Sequence, residues 1–308
     1  MDGGDSLPSS WSFLPGERRV SVAASVSLPG NTYGIEDSIR SARVIMPRAR
    51  SISCLTVMTA ASAAIAAAAC QQNVHLGDIG DGGASLLWTA TFEPGDLSEW
   101  LGDGKGGTYV ENVTAFPAAT TEMAHRGLYA GVATVTPPLT GEPSINYLFR
   151  EQPSPREAYY SAWYYIPASV TVRSWLSLSH FRCSHTGDGN DLFPIWDVNL
   201  IPRPDGSIIA HLYNHVTMMN FEQLFPVPVP IARWVHFEVL LRKAAGPTGR
   251  VAVWQDGVPI IDVANVVTAE TDWVQWDAGA SSTDLGLSAP AVIYMDDAAI
   301  SLARVGPS

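Results

Sequence analysis

From residue 86 onward, apolar and aromatic residues come in short runs broken by glycine, proline, asparagine and aspartate. AYYSAWYYIP (158–167), WLSLSHFR (175–182), IIAHLYNHV (208–216), WVHFEVLLR (234–242), RVAVWQDG (250–257) and AVIYMDDAAISL (291–302) are the longest. LLWTATF (86–92), LYAGVATV (128–135) and SINYLF (144–149) are shorter versions. Runs of this length, rich in aromatic and β-branched residues and bounded by turn formers, predict strands. No sustained helical period accompanies them. Asp256-Gly257 between two apolar runs predicts a tight hairpin, and PRPDGSI (202–208) predicts a second turn. About a dozen strands with almost no helix predict an all-β, two-sheet sandwich or a barrel. With no fixed-period repeat and no second linker, residues 86–308 read as a single domain.

The chain before residue 86 has a different character. Between Met46 and Cys70 it reads MPRARSISCLTVMTAASAAIAAAAC: two arginines, an uncharged run, then small residues before a cysteine. That order is the one of a secretory signal, assigned here to 46–69. It resembles the bacterial lipoprotein signal, with Ala67 where leucine is usual three residues before the cysteine. The resemblance implies a lipidated Cys70 and a protein of the cell envelope, on the outer surface or in the periplasm, held to the membrane only by that anchor. Alanine, serine and threonine insert poorly as a membrane span, and the run shows no amphipathic face. Residues 70–85, glycine-rich, read as a flexible tether. Residues 1–45 read as an extension outside the fold.

Charge narrows the partners. Thirty acids stand against 18 bases, a net of −12, and only two of the bases are lysines. Without a basic run, duplex nucleic acid and anionic membrane surfaces are poor partners. Cleavage before Cys70 would leave 25 acids, 12 bases and one internal thiol, Cys183. No disulfide then supports the core.

Four segments, TFEPGDLSEW (91–100), AHRGLYAGV (124–132), 232–261 and IYMDDAAIS (293–301), together resemble the jelly-roll proteins of the concanavalin A-like lectin and glucanase superfamily. This group includes laminin G-like modules and jelly-roll polysaccharide lyases. The resemblance implies a curved sandwich that binds glycan on its concave face. Retaining glucanases of the group carry Glu-x-Asp-x-x-Glu on one strand, because nucleophile and acid must lie about 5–5.5 Å apart. That spacing is absent here, which disfavours glycoside hydrolysis by such a pair.

Candidate chemistry concentrates where polar residues alternate. His211, Tyr213 and His215 fall on one face of a strand, as do His180 with Arg182, and Asp197 with Asn199. Imidazole and phenol can abstract the C5 proton of a uronate and protonate the leaving oxygen. The jelly-roll lyases are similar in using tyrosine and histidine, with Arg, Gln or Asn on the sugar carboxylate. As a lyase, the chain would use His211, Tyr213, His215 and Arg182. As a binder, it would hold glycan through His180, Trp196, Asp197, Asn199 and Tyr213. A solvated outer face gives the same alternation.

Trp163, Trp234 and Trp254 read as core, whereas Trp273 and Trp276 read as neighbours of a wet loop. In AVIYMDDAAISL, Asp296 shares the parity of Val292, Tyr294, Ala298 and Ile300, which reads as inward. The family's matching positions often hold structural calcium, so Glu93, Asp296 and Asp297 are the metal candidates, against a capped turn as the alternative. No zinc spacing, P-loop or dinucleotide fingerprint occurs, and no organic cofactor is expected. Three readings follow: a secreted glycan binder, a polysaccharide lyase, and a laminin G-like adhesion module.

Overall fold

The computed structural model describes residues 86–288 and 290–307. The signal segment, the tether, Cys70 and the 1–45 extension lie outside the described residues. Among the described residues, fifteen strands and one short helix form. They are β1 (Leu86–Ala90), α1 (Ser98–Leu101), β2 (Gly106–Glu111), β3 (Ala118–Thr120), β4 (Ala130–Val135), β5 (Ser144–Pro153), β6 (Glu157–Tyr165) and β7 (Leu176–Ser184). The chain continues through β8 (Leu192–Pro202), β9 (Ile208–Asn214), β10 (Met219–Phe221), β11 (Trp234–Arg242), β12 (Gly249–Gln255), β13 (Val258–Val266), β14 (Trp273–Ser282) and β15 (Ala291–Ser301).

Sheet A has the order β13-β12-β11-β6-β15-β4-β3, with β1 also paired to β15. Sheet B has the order β10-β9-β8-β7-β14-β5-β2. The strand pairs are antiparallel, and strands distant in sequence are neighbours, as in a jelly roll. The core lies between the sheets. Tyr160 of sheet A meets Phe181 and Trp276 of sheet B with ring centroids 5.1 and 5.6 Å apart. The Tyr164 hydroxyl crosses the core to donate to the Leu178 carbonyl at 3.1 Å. Burial of rings of this size contributes about 1.5–3 kcal/mol each relative to exposure.

The hairpin between β12 and β13 forms as the sequence predicts. Asp256 and Gly257 both have positive φ, 49° and 79°, the conformation that a two-residue turn matched to strand twist requires. Trp163, Trp234 and Trp254, expected in the core, are instead half-buried on the outer face of sheet A. Trp276, expected near water, is fully buried and donates its indole N–H to Ser179. The segment around it is β14, which the sequence hides among Ala278, Gly279 and Ala280.

Bulges reset side-chain parity. In β15 the register slips between Asp296 and Ala299, and Asp297 takes φ 45°. Before the slip Ile293 and Met295 point inward; after it Ala298 and Ile300 do. Asp296 therefore sits with Tyr294 on the outward side, contrary to the parity expectation, because the extra residue reverses the alternation. In β7 a slip between Ser177 and Ser179 lets Ser177 and His180, three residues apart, reach the same face.

Candidate active site

Sheet B carries one face into the core and leaves the other open. Leu148, Phe181, Trp196, Leu212 and Trp276 take the core side. Apart from Ile195, which a register slip leaves in the core beside Trp196, their sequence neighbours take the open side, and antiparallel pairing lines them up across the sheet. One row runs Gly107, Phe149, Asp277, His180, Asp197, Tyr213, Asn220, one residue from each of the seven strands. A second row, on one side, holds Ser281, Ser177, Asn199 and His211. On the other side lie Glu151, Gln275 and Arg182. His215 follows β9, fixed by its backbone N–H on the Ile195 carbonyl.

The structure thus brings together His180, Arg182, Asp197, Asn199, His211, Tyr213 and His215. Trp196 is the exception. It alternates with Asp197, so placing Asp197 on the open face buries the indole completely in the core, where no sugar can stack on it.

Within the central row the contacts form a chain. His180 Nδ1 lies 3.0 Å from Asp277 Oδ2, and His180 Nε2 lies 3.5 Å from Asp197 Oδ1. The other oxygen, Asp197 Oδ2, lies 2.9 Å from His215 Nε2. Burial works against a charge on His180, but Asp197 and Asp277 outweigh it and raise its pKa above the ordinary histidine value. The Tyr213 and His215 rings meet edge to face, centroids 4.8 Å apart. Burial, then Asp197, raises the Tyr213 phenol, which remains protonated at neutral pH.

His211 has the opposite bias. Burial lowers its pKa, only partly offset by Asn220, so the imidazole is neutral near pH 7. Its Nε2 lies 3.1 Å from Asn220 Oδ1, while Nδ1 is buried without a hydrogen-bond partner, so Nε2 is the nitrogen available to a ligand. Arg182 lays its guanidinium over the Tyr109 ring, 4.4 Å from the centroid.

Asp277, Gln275 and Tyr147 are site residues that the sequence reading missed. Gln275 Nε2 donates to Asp277 Oδ1 at 2.5 Å, holding a carboxylate that has no exposure. Tyr147 packs 6.0 Å from the His180 ring. The alternation Trp273, Gln275, Asp277 in TDWVQWD was the available signal for Gln275 and Asp277.

Among the described residues, His180, Asp197 and His215 place one ligand atom each within 4.8 Å of one another, a geometry able to hold a metal ion. The Glu93, Asp296 and Asp297 set is differently engaged. Glu93 Oε1 accepts the backbone N–H groups of Leu128 and Tyr129. Asp296 accepts those of His125, Arg126 and Asp297, and Asp297 Oδ2 lies 2.7 Å from His125 Nδ1. These carboxylates grip the 125–129 loop from distant parts of the chain, and only the Asp297 N–H to Asp296 is a local bond of the capped-turn kind. Two small pockets lie away from sheet B's open face, one beside Lys243 and Asp272, the other beside Trp163 and His236.

No protein-family model matches the sequence. No curated protein matches it either. Solved structures do share the fold. An endo-β-1,4-glucuronan lyase from Trichoderma reesei superposes with a TM-score of 0.53 at 15% identity, over 71% of this chain and 96% of its own. The cellulose-induced protein Cip1 gives 0.50 at 15% identity, over 71% and 99%. An alginate lyase, Aly36B, solved as a mutant with an alginate trisaccharide, gives 0.50 at 11% identity, over 72% and 100%. At such identities the likeness establishes a shared architecture alone: the two-sheet jelly-roll fold of this chain is shared with these structures.

Proposed function

We propose that this protein is a polysaccharide lyase that cleaves a uronate-containing polymer by β-elimination. The observation that carries the reading is the pair on β9. His211 and Tyr213, two residues apart on one face of sheet B, are a neutral, largely buried imidazole and a protonated, partly exposed phenol. Environments that push two titratable groups in opposite directions mark a base and an acid.

His211, in the tautomer with its lone pair on Nε2, removes the C5 proton of the uronate once the substrate takes the place of Asn220 at that nitrogen. The released electron pair forms the C4–C5 double bond, the C4–O4 bond breaks, and O4 takes the proton of Tyr213. Proton exchange with water then restores both groups. The C5 proton is acidic only when the neighbouring carboxylate is neutralised; Asn199, paired with His211 across β8 and β9, is the adjacent group for this, while Arg182, two strands away and laid over the Tyr109 ring, would meet another sugar of the polymer. A row crossing seven strands on an open sheet face suits a polymer lying across it. Two solved structures of this fold are described as lyases of glucuronan and of alginate, which supports the substrate class.

Incubation with a panel of polyuronates tests the reading, because each cut leaves an unsaturated uronate that absorbs in the near-ultraviolet. Absorbance should rise with at least one polymer. Binding without any absorbance change, abolished by Tyr213→Ala, would leave a glycan binder. Binding to no glycan would favour the adhesion module. The proposal includes secretion and anchoring through Cys70, so Cys70→Ala should lose detergent-phase partitioning.

A further inference from the structure

We propose that His180, Asp197 and His215 bind a divalent metal ion of the imidazole-coordinating class, with a coordination position open to substrate. The donors are His180 Nε2, an Asp197 oxygen and His215 Nε2. One such atom from each residue lies within 4.8 Å of the other two, and the two Asp197 oxygens face the two imidazoles, Oδ1 3.5 Å from His180 Nε2 and Oδ2 2.9 Å from His215 Nε2, which suits a shared ion at bond lengths of about 2.0–2.2 Å. Two imidazoles and one carboxylate are a donor set for zinc-like cations rather than for calcium.

Two further observations point to a ligand. Asp197 is only 8% exposed, yet its Oδ1 has no hydrogen-bond partner, and neither has the facing His180 Nε2. Buried polar atoms are nearly always paired, and an uncompensated one costs about 1–3 kcal/mol. His180 is also supported from behind. Its Nδ1 lies 3.0 Å from Asp277, whose other oxygen is held by Gln275. A carboxylate behind a ligating histidine fixes the ring's orientation and raises its basicity, as in many metal sites.

The charge of the row gives the ion a purpose, and this step rests on the lyase reading. Two buried carboxylates, Asp197 and Asp277, occupy the row that must receive an anionic uronate beside Tyr213. Repulsion there would oppose both binding and ionisation at C5. A dication on Asp197 reverses the sign and offers its open position to the substrate carboxylate, as a Lewis acid that stabilises the developing enolate. The competing account is a protonated His180 bridging two aspartates with no metal at all.

The test uses protein without a polyhistidine tag, stripped by chelator and checked by circular dichroism. Titration with Co²⁺ is followed by visible absorbance, and Zn²⁺ competition by calorimetry. One equivalent should bind with a visible band. His215→Ala changes a partly exposed side chain, 28% accessible, and should weaken binding at least about 10-fold while the fold persists. Asp277→Asn should weaken it about 10–100-fold. Asp296→Asn, in the outer clamp, should leave it unchanged. Absence of a cobalt band, or binding indifferent to His215→Ala, would overturn the site in favour of the protonated bridge. Metal binding without cleavage of any polyuronate would keep the site and remove the lyase reading. Cleavage that survives stripping in a protein without the cobalt band would do the reverse.

Discussion

At the scale of single residues, position on β9 and local burial set the chemistry. His211 is the base in the proposed reaction, and a base works unprotonated. Burial lowers its pKa below the ordinary histidine range, so kcat/KM should rise with pH through a value under about 6.5 and be flat by neutrality. A rising limb centred at or above the ordinary value would exclude His211. Tyr213→Phe keeps the ring and its contact with His215 but removes the proton donor. It should preserve polymer binding and reduce kcat by about 10²–10⁴-fold, measured by the absorbance assay. Both residues are legible in IIAHLYNHV, because strand alternation alone puts them on one side. Trp196 shows the limit of that reasoning. Its alternation with Asp197 was equally visible, but which parity faces the core depends on the sheet that packs against it.

At the scale of elements, turns and bulges decide where side chains go. Gly257 has φ 79°, and a Cβ there would lie 3.2 Å from the Pro307 ring. Gly257→Val should cost about 1–2 kcal/mol from the left-handed backbone alone, read as a shift in the urea midpoint at constant slope. The outer clamp makes a comparable prediction. Asp296→Ala would remove the acceptor of the His125 and Asp297 backbone N–H groups, with an expected loss of about 1–3 kcal/mol. Melting with and without calcium, on this variant and the parent, separates a capped loop from a bound ion: a calcium-dependent rise confined to the parent would argue for the ion. The bulges were not legible in sequence. A slip in β7 or β15 is set by the partner strand, and WLSLSHFR and AVIYMDDAAISL carry no glycine or proline to announce it.

At the scale of the whole molecule, net charge and substrate charge oppose each other. The chain from Cys70 onward carries 25 acids against 12 bases, so a polyuronate meets long-range repulsion before it meets Arg182. Monovalent salt screens that repulsion over a Debye length of about 8 Å at physiological strength. The apparent KM for a polyuronate should therefore fall as sodium chloride rises from about 10 to about 150 mM. A KM that climbs over this range would indicate that local attraction at the site governs encounter.

The sequence by itself determined the class of fold and much of one face of the site. Short runs, turn residues and period-two alternation are local properties, and they mark β6, β7, β9, β11, β12 and β15 without any tertiary information. The histidines, Tyr213, Asp197 and Asn199 follow from the same alternation. Tertiary structure decided which strands are neighbours, and hence the row itself. Asp277 reaches His180 only because β14 lies between β5 and β7, almost a hundred residues from β7 along the chain. The packing of the second sheet decided that Trp196 and Trp276 are core while Trp163 stays half-exposed. These outcomes depend on non-local strand pairing and on which face excludes water, and neither is written in the spacing of residues along one strand.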